Sequence, residues 1–119
     1  MIPENWRYSR GDIYYANMDP NVGSEQGGER TVVVLQNDTG NKHSPTLIIA
    51  TLTSRVDKKR HLPTHVLLEH NPGLKVLSIV QLEQIFTIDK RRVQRFAGQT
   101  SEEEMKQIET AIKISLGMS

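Results

Sequence analysis

Cysteine is missing from all 119 positions of this chain. Disulfides and thiolate metal sites are therefore excluded, and the fold is indifferent to redox compartment. Also missing is any apolar run near the roughly 20 residues that a membrane-spanning helix needs. The opening stretch, Met1-Ile2-Pro3-Glu4-Asn5-Trp6-Arg7, has no apolar run behind a basic start, so a signal peptide is not expected and the cytoplasm is the expected compartment. Charge of one sign is not in excess. Fifteen Lys and Arg face 14 Asp and Glu, for a net +1, so the total alone does not announce a nucleic-acid binder. Low-complexity segments are absent too, and 36% of residues are hydrophobic, which fits one folded domain over residues 1–119.

Several chemistries lack their usual residue patterns. The histidines His43, His61, His65 and His70 make no helical i, i+4 pair, so no metal is expected, and no cofactor. The pair Gly27-Gly28 is not followed by Gly-Lys-Ser/Thr, so a nucleotide-phosphate loop is not expected. There is no G-x-S-x-G elbow. A scattered Ser-His-Asp arrangement stays open.

What is present reads first as strands. Asp12 to Ala16 is aromatic and β-branched, and Thr31 to Gln36 is a strong buried-strand signal. Thr46 to Thr53, Thr64 to Leu68 and Val76 to Ile85, bent near Gln81, complete five expected strands. Between the first two lies a soft loop, residues 19–29, with Pro20, Gly23, Gly27 and Gly28. Asn37 to Asn41 reads as a turn, and Asn71-Pro72-Gly73 suits a type II turn. Asp89 can cap a short helix through about Phe96, with Gly98 as its stop.

A final helix is expected over 101–116. Ser101 and Glu104 have capping-box spacing, Glu102 and Glu103 suit the dipole of a first turn, and Met105, Ile108, Ile112 and Leu116 form one apolar stripe. Short strands, tight turns and one terminal helix predict a mainly β fold, a small curved antiparallel barrel. A small barrel has little interior to spare, so function belongs to its surface loops.

Two basic clusters, Lys58-Lys59-Arg60-His61 and Lys90-Arg91-Arg92 with Arg95, are either solvated faces or the flanks of a phosphate-attracting groove. Arg30 stands where the soft loop meets the second strand. The ordinary role of such a residue is an ion pair with Glu25 or Glu29. The functional role is phosphate recognition, because a guanidinium forks onto two oxygens and keeps its charge near neutral pH.

A series of short motifs then aligns in order. Arg10-Gly11-Asp12-Ile13-Tyr14 is followed by Gly23-Ser24-Glu25-Gln26-Gly27-Gly28, by Arg30 and by Gln36-Asn37-Asp38. Ser44-Pro45-Thr46, Thr53, Leu62-Pro63-Thr64-His65, Gly73-Leu74, Leu82-Glu83-Gln84-Ile85 and Thr87-Ile88-Asp89-Lys90 complete it. From about residue 10 to 116 the chain resembles the MazF/PemK family of toxin ribonucleases from bacterial toxin–antitoxin pairs.

The resemblance implies an SH3-like barrel that forms a homodimer and cuts single-stranded RNA at specific sequences without a metal. It implies attack by the RNA's own 2′-hydroxyl, leaving a 2′,3′-cyclic phosphate and a 5′-hydroxyl, with Arg30 and Thr53 catalytic. It points to Ser24, Glu25, Gln26, Asn37, Glu83 and Gln84 as RNA-binding residues. It also implies a cognate antitoxin, expected to be acidic, partly disordered and laid over the RNA groove.

Three positions depart from the family pattern. Thr31 stands where the family usually has Pro, Leu77 where it has an acid, and Phe86 where it has a base. Phe86 is expected either to stack on an RNA base or simply to pack. Two other readings of the barrel are a gyrase-poison-like toxin that grips a protein, and a remnant that only binds antitoxin. The gyrase-poison type needs a tryptophan in its C-terminal tail, whereas the single tryptophan here is Trp6.

Overall fold

The structure is a computed structural model that describes residues 2–19, 28–56 and 62–119. Six strands form one antiparallel sheet: β1 (Asp12–Asn17), β2 (Glu29–Val34), β3 (Thr46–Thr53), β4 (His65–Leu68), β5 (Ser78–Asp89) and β6 (Val93–Gln99). Two helices, α1 (Asp38–His43) and α2 (Glu102–Ser115), complete the order. The strand order is β4-β5-β3-β2-β1-β6, which puts β3 and β2 at the centre.

Period-2 geometry sends alternate residues to opposite faces, and here both faces are buried. Val32, Val34, Leu47 and Ile49 pack on one side with Tyr8, Tyr14 and Ile88, under a lid of Ile2 and Trp6. Val33, Ala50, Leu52, Val80 and Leu82 pack on the other, under Ile108 and Ala111 of α2. This two-sided burial explains why β2 and β3 are apolar without alternation. Each large aliphatic side chain so buried contributes roughly 1.5–3 kcal/mol.

The two ends of the sheet meet without a strand ladder. Asn71, just beyond β4, donates from Nδ2 to the carbonyl of Gln99 at the end of β6, at 2.8 Å. Gly73 lies so close to β6 that a Cβ there would meet the Ala97 carbonyl at 2.5 Å and the Gly98 Cα at 2.9 Å. Only glycine fits this seam, and the seam curls the sheet.

Two expectations are corrected. Asp89 does cap, accepting the Arg91 N–H at 2.8 Å, but the helix is a single 3-10 turn, Lys90–Arg92. Residues 93–99 are β6 instead, because β1 offers them a free edge, met with two register shifts. The expected turn at 37–41 is the start of α1, with Asn37 as its N-cap. The N-terminal segment is integral to the core. Trp6 Nε1 donates to Tyr14 Oη at 2.8 Å, and Tyr14 donates to buried Asp12 at 2.6 Å.

Candidate functional site

Arg30 and Thr53 come together in one surface groove. They start from different strands. Arg30 is the second residue of β2, opposite Ala16 of β1, and Thr53 is the last residue of β3, opposite Ile79 of β5. The β2–β3 ladder ends at Val32–Thr51, so beyond it the two backbones part. The opening, about 330 Å³, is lined by these two residues and by Tyr15, Arg55, Lys75 and Ser78 among others.

Arg30 is half-buried, and its Nη2 donates to the Leu52 carbonyl at 2.8 Å. Burial, and after it the charge of Arg55, holds its pKa below the ordinary guanidinium value. Arg30 has no ion-pair partner among the described residues. Glu29 lies instead toward Arg95, at 3.8 Å, and Glu25 falls outside the described residues. Thr53 is buried, and its Oγ1 accepts the Arg55 N–H at 3.2 Å, which leaves the hydroxyl proton to be donated. Thr31, in place of proline, does not loosen the strand start. Met18 N–H donates to the Gly28 carbonyl at 2.8 Å and Gly28 N–H to Asp19 Oδ1 at 2.7 Å, which clamp it.

The other expected site residues lie elsewhere. Ser24, Glu25 and Gln26 fall outside the described residues, as do Lys58, Lys59, Arg60 and His61. Asn37 accepts the Gly40 N–H at 2.8 Å as the cap of α1. Glu83 receives two bonds, from Thr64 Oγ1 at 2.9 Å and from His65 Nε2 at 2.9 Å. His65 Nδ1 accepts the Leu62 N–H at 3.4 Å, so Nε2 carries the proton that Glu83 receives. Gln84 is half-buried on β5, next to the β3–β5 register shift. Phe86 is half-buried against the first core cluster, opposite Ile49, so at least part of its ring serves packing.

Much of the motif series is scaffold. Arg10 ties three elements together, donating from Nε to the Leu35 carbonyl at 3.1 Å and from Nη1 to Glu109 at 2.8 Å, while its N–H reaches Asp38 at 2.7 Å. Gly11 holds φ +91° where a Cβ would strike Thr100 Oγ1 at 2.7 Å. Gln36 and Asn41 bond to each other at 3.1 Å beneath α1.

The second basic cluster is spent internally rather than on a groove. Lys90 donates to the Asn41 carbonyl and sits over Tyr8, Arg91 pairs with Asp89, and Arg92 donates to the carbonyls of Asn17 and Asp19. Arg95 stacks on Tyr15 at 4.0 Å. A wider cleft of about 830 Å³ beside these residues is therefore lined by cations that already have partners.

Sequence reasoning missed Arg55, Lys75 and Tyr15. The first two are single cations in connections, with no local pattern to mark them. Among the described residues, no three His, Asp or Glu side chains are grouped so as to hold a metal ion.

Comparison with known proteins gives this geometry its relatives. The family described as "PemK-like, MazF-like toxin of type II toxin-antitoxin system" matches residues 9–116. A protein named "Endoribonuclease MazF" from Staphylococcus saprophyticus subsp. saprophyticus is 49% identical over 110 residues, covering 92% of this chain and 91% of that one. The fold is similar to a crystal structure of MazF from Deinococcus radiodurans, with TM-score 0.82, 23% identity and coverage of 96% and 100%. It is also similar to a structure described as an endoribonuclease in complex with its cognate antitoxin from Mycobacterial species. That match has TM-score 0.80, 22% identity and coverage of 94% and 97%. This chain therefore belongs to the PemK-like, MazF-like toxin family of type II toxin–antitoxin systems.

Proposed function

We propose that this chain is an endoribonuclease, the toxin of a type II toxin–antitoxin pair, cutting single-stranded mRNA at specific sequences. The observation that carries the reading is the meeting of Arg30 and Thr53 in one cationic groove, in a chain 49% identical to a protein named Endoribonuclease MazF.

The reaction fits the groups available. The 2′-oxygen of the RNA attacks the adjacent phosphorus; that O–P bond forms and the 5′-O–P bond breaks. A proton leaves the 2′-hydroxyl and another reaches the 5′-oxygen. The nucleophile belongs to the substrate, so neither a protein nucleophile nor a metal has a necessary part. Negative charge grows on the phosphoryl oxygens, and Arg30, already fixed to Leu52, meets it without reorganising. One such preorganised donor is typically worth about 10²- to 10³-fold in rate.

Burial makes Arg30 a better proton donor than a free guanidinium, yet it stays charged near neutral pH, so its supported role is electrostatic. Thr53 holds the phosphate or the 2′-hydroxyl in line. Base reading falls to loop and β5 residues, by edge hydrogen bonds and stacking. Asn37, Glu83, Gln84 and Phe86 are the candidates on described elements. Among them, only the Gln84 amide has neither a hydrogen bond among the described residues nor a place in the core.

Within the same reading the enzyme is a cytoplasmic homodimer. No helix among the described residues is long and apolar enough to cross a membrane. The partner is an antitoxin whose acidic, partly disordered segment covers the same cations.

The test incubates purified protein with long single-stranded RNA in EDTA, beside an Arg30→Ala control. Discrete cuts with cyclic-phosphate and 5′-hydroxyl ends, absent from the control, are expected. Intact RNA after incubation with folded protein would sink the enzyme reading in favour of a barrel that only binds a protein.

A further inference from the structure

The groove carries more positive charge than one scissile phosphate needs. Besides Arg30 it is lined by Arg55 and Lys75. Arg55 lies two residues beyond Thr53, on the connection that leaves β3. Lys75 lies on the connection into β5, two residues after the Gly73 seam that sets the path of that connection. Both are exposed, and neither lies within 4.0 Å of an acid among the described residues. The single carboxylate in the lining, Glu29, is drawn toward Arg95.

The contrast with the second basic cluster is informative. There, every cation is held by a carbonyl, a carboxylate or a ring. Here, two guanidiniums repel each other strongly enough for Arg55 to depress the pKa of Arg30. A folded chain tolerates such crowding where an anion relieves it. Thr53 and Arg30 account for one phosphate. Ser78 adds no donor, since its Oγ–H is turned to the Val76 carbonyl at 3.1 Å.

We propose that Arg55 and Lys75 form a second phosphate subsite, holding the phosphate that neighbours the scissile one on the same strand. The chain is then clamped on one side of the reacting bond, and Arg30 and Thr53 act on a backbone already fixed in direction. The subsite deepens the proposed ribonuclease reading and rests on it for the identity of the ligand.

The test compares wild type with an Arg55→Gln/Lys75→Gln variant. Both positions are exposed, so thermal stability should stay close to wild type, which checks the fold. The first readout is binding to a single-stranded DNA of mixed sequence, which lacks the 2′-hydroxyl and cannot be cut by this reaction. The slope of log affinity against log salt should be shallower by about 1.4, at roughly 0.7 for each lost phosphate contact on a single strand. The second readout is cleavage of an oligoribonucleotide spanning a mapped cut, with a neutral methylphosphonate placed on either side of the scissile phosphate in turn. Wild type should lose about tenfold in kcat/KM at one of the two linkages, as for one charge-assisted contact. The double variant should be insensitive there.

An unchanged slope with cleavage intact would overturn the subsite alone, and leave the two cations to an acidic protein partner. Equal methylphosphonate losses in both proteins would overturn it too. A shallower slope in a protein that never cuts RNA would support the subsite and sink the ribonuclease reading. Wild type that binds no single strand would overturn both.

Discussion

The guanidinium of Arg30 donates to the carbonyl of Leu52 across 2.8 Å, which fixes the cation of β2 to the residue just before Thr53 of β3. The bond lies beyond the last rung of the β2–β3 ladder, at Val32–Thr51. A side chain therefore continues the connection where the backbones part, and the groove opens in the gap it spans. Two groups from different strands become one rigid unit.

That unit predicts that charge alone will not suffice. Lysine at position 30 can reach either the Leu52 carbonyl or a phosphate, whereas arginine has five N–H donors and can do both. Arg30→Lys should lower kcat by about 10²- to 10³-fold while the circular dichroism spectrum stays native. Cleavage within a few-fold of wild type would show that a mobile cation is enough and that the Leu52 bond is incidental.

Thr53 can be dissected by shape. Thr53→Val keeps the volume of a buried side chain but removes the acceptor for the Arg55 N–H and the donor for a phosphate oxygen. Thr53→Ser keeps both. Valine should cost about 10²-fold in kcat/KM, the scale of a misplaced substrate, and serine much less. Steady-state kinetics on one mapped site decides it. Equal losses in both variants would assign Thr53 to packing.

The parts of this fold that were legible in the sequence are those whose signals are local. Ser101 and Glu104 announce the start of α2, and they do bond reciprocally, at 2.8 and 3.0 Å. Ile108 follows at helical spacing and is fully buried. Strand β6 was illegible because its reason is remote: Val93-Gln94-Arg95-Phe96 becomes a strand only beside β1. Asn37 was ambiguous in principle, since an Asn that turns a chain and one that caps a helix use the same side-chain bond.

The pairing of Arg30 with Thr53 came from resemblance, because neither residue carries a local mark of its own. Arg55 and Lys75 had neither kind of signal. Glu83 looked free to read RNA because the sequence does not show that Thr64 and His65 fold onto it.

The seam between Gly73 and Gly98 should be intolerant of a single methyl group. At Gly73 the obstacle is backbone, the Ala97 carbonyl at 2.5 Å, which cannot swing aside as a side chain would. Gly73→Ala should destabilise by about 1–3 kcal/mol, as overpacking does. Thermal unfolding should report a drop of roughly 2–8 °C for each kcal/mol. Gly117→Ala is the control for a glycine with open space but positive φ, and should cost less, about 1 kcal/mol. If Gly73→Ala melts with wild type, β4 and β6 are not joined through this contact.

Glu83 offers a pH test that separates its two possible roles. Burial pushes its carboxyl up, but the bonds from His65 and Thr64 outweigh that and leave its pKa below the ordinary 4.5. A depressed folded-state pKa means the carboxylate contributes stability above about pH 4.5 and loses it as pH falls through the folded value. Glu83→Gln removes the charge, so wild type should be the more stable near neutrality, by on the order of 1 kcal/mol for a part-exposed charged hydrogen bond. The gap should close below pH 4.5. Thermal melts of both proteins from pH 7 to pH 3 measure it. A gap that is absent at every pH, together with a changed cleavage sequence, would mean that Glu83 leaves His65 to meet an RNA base. A gap that closes in acid, with the cleavage sequence unchanged, would make Glu83 the strut that holds β5 to the segment entering β4.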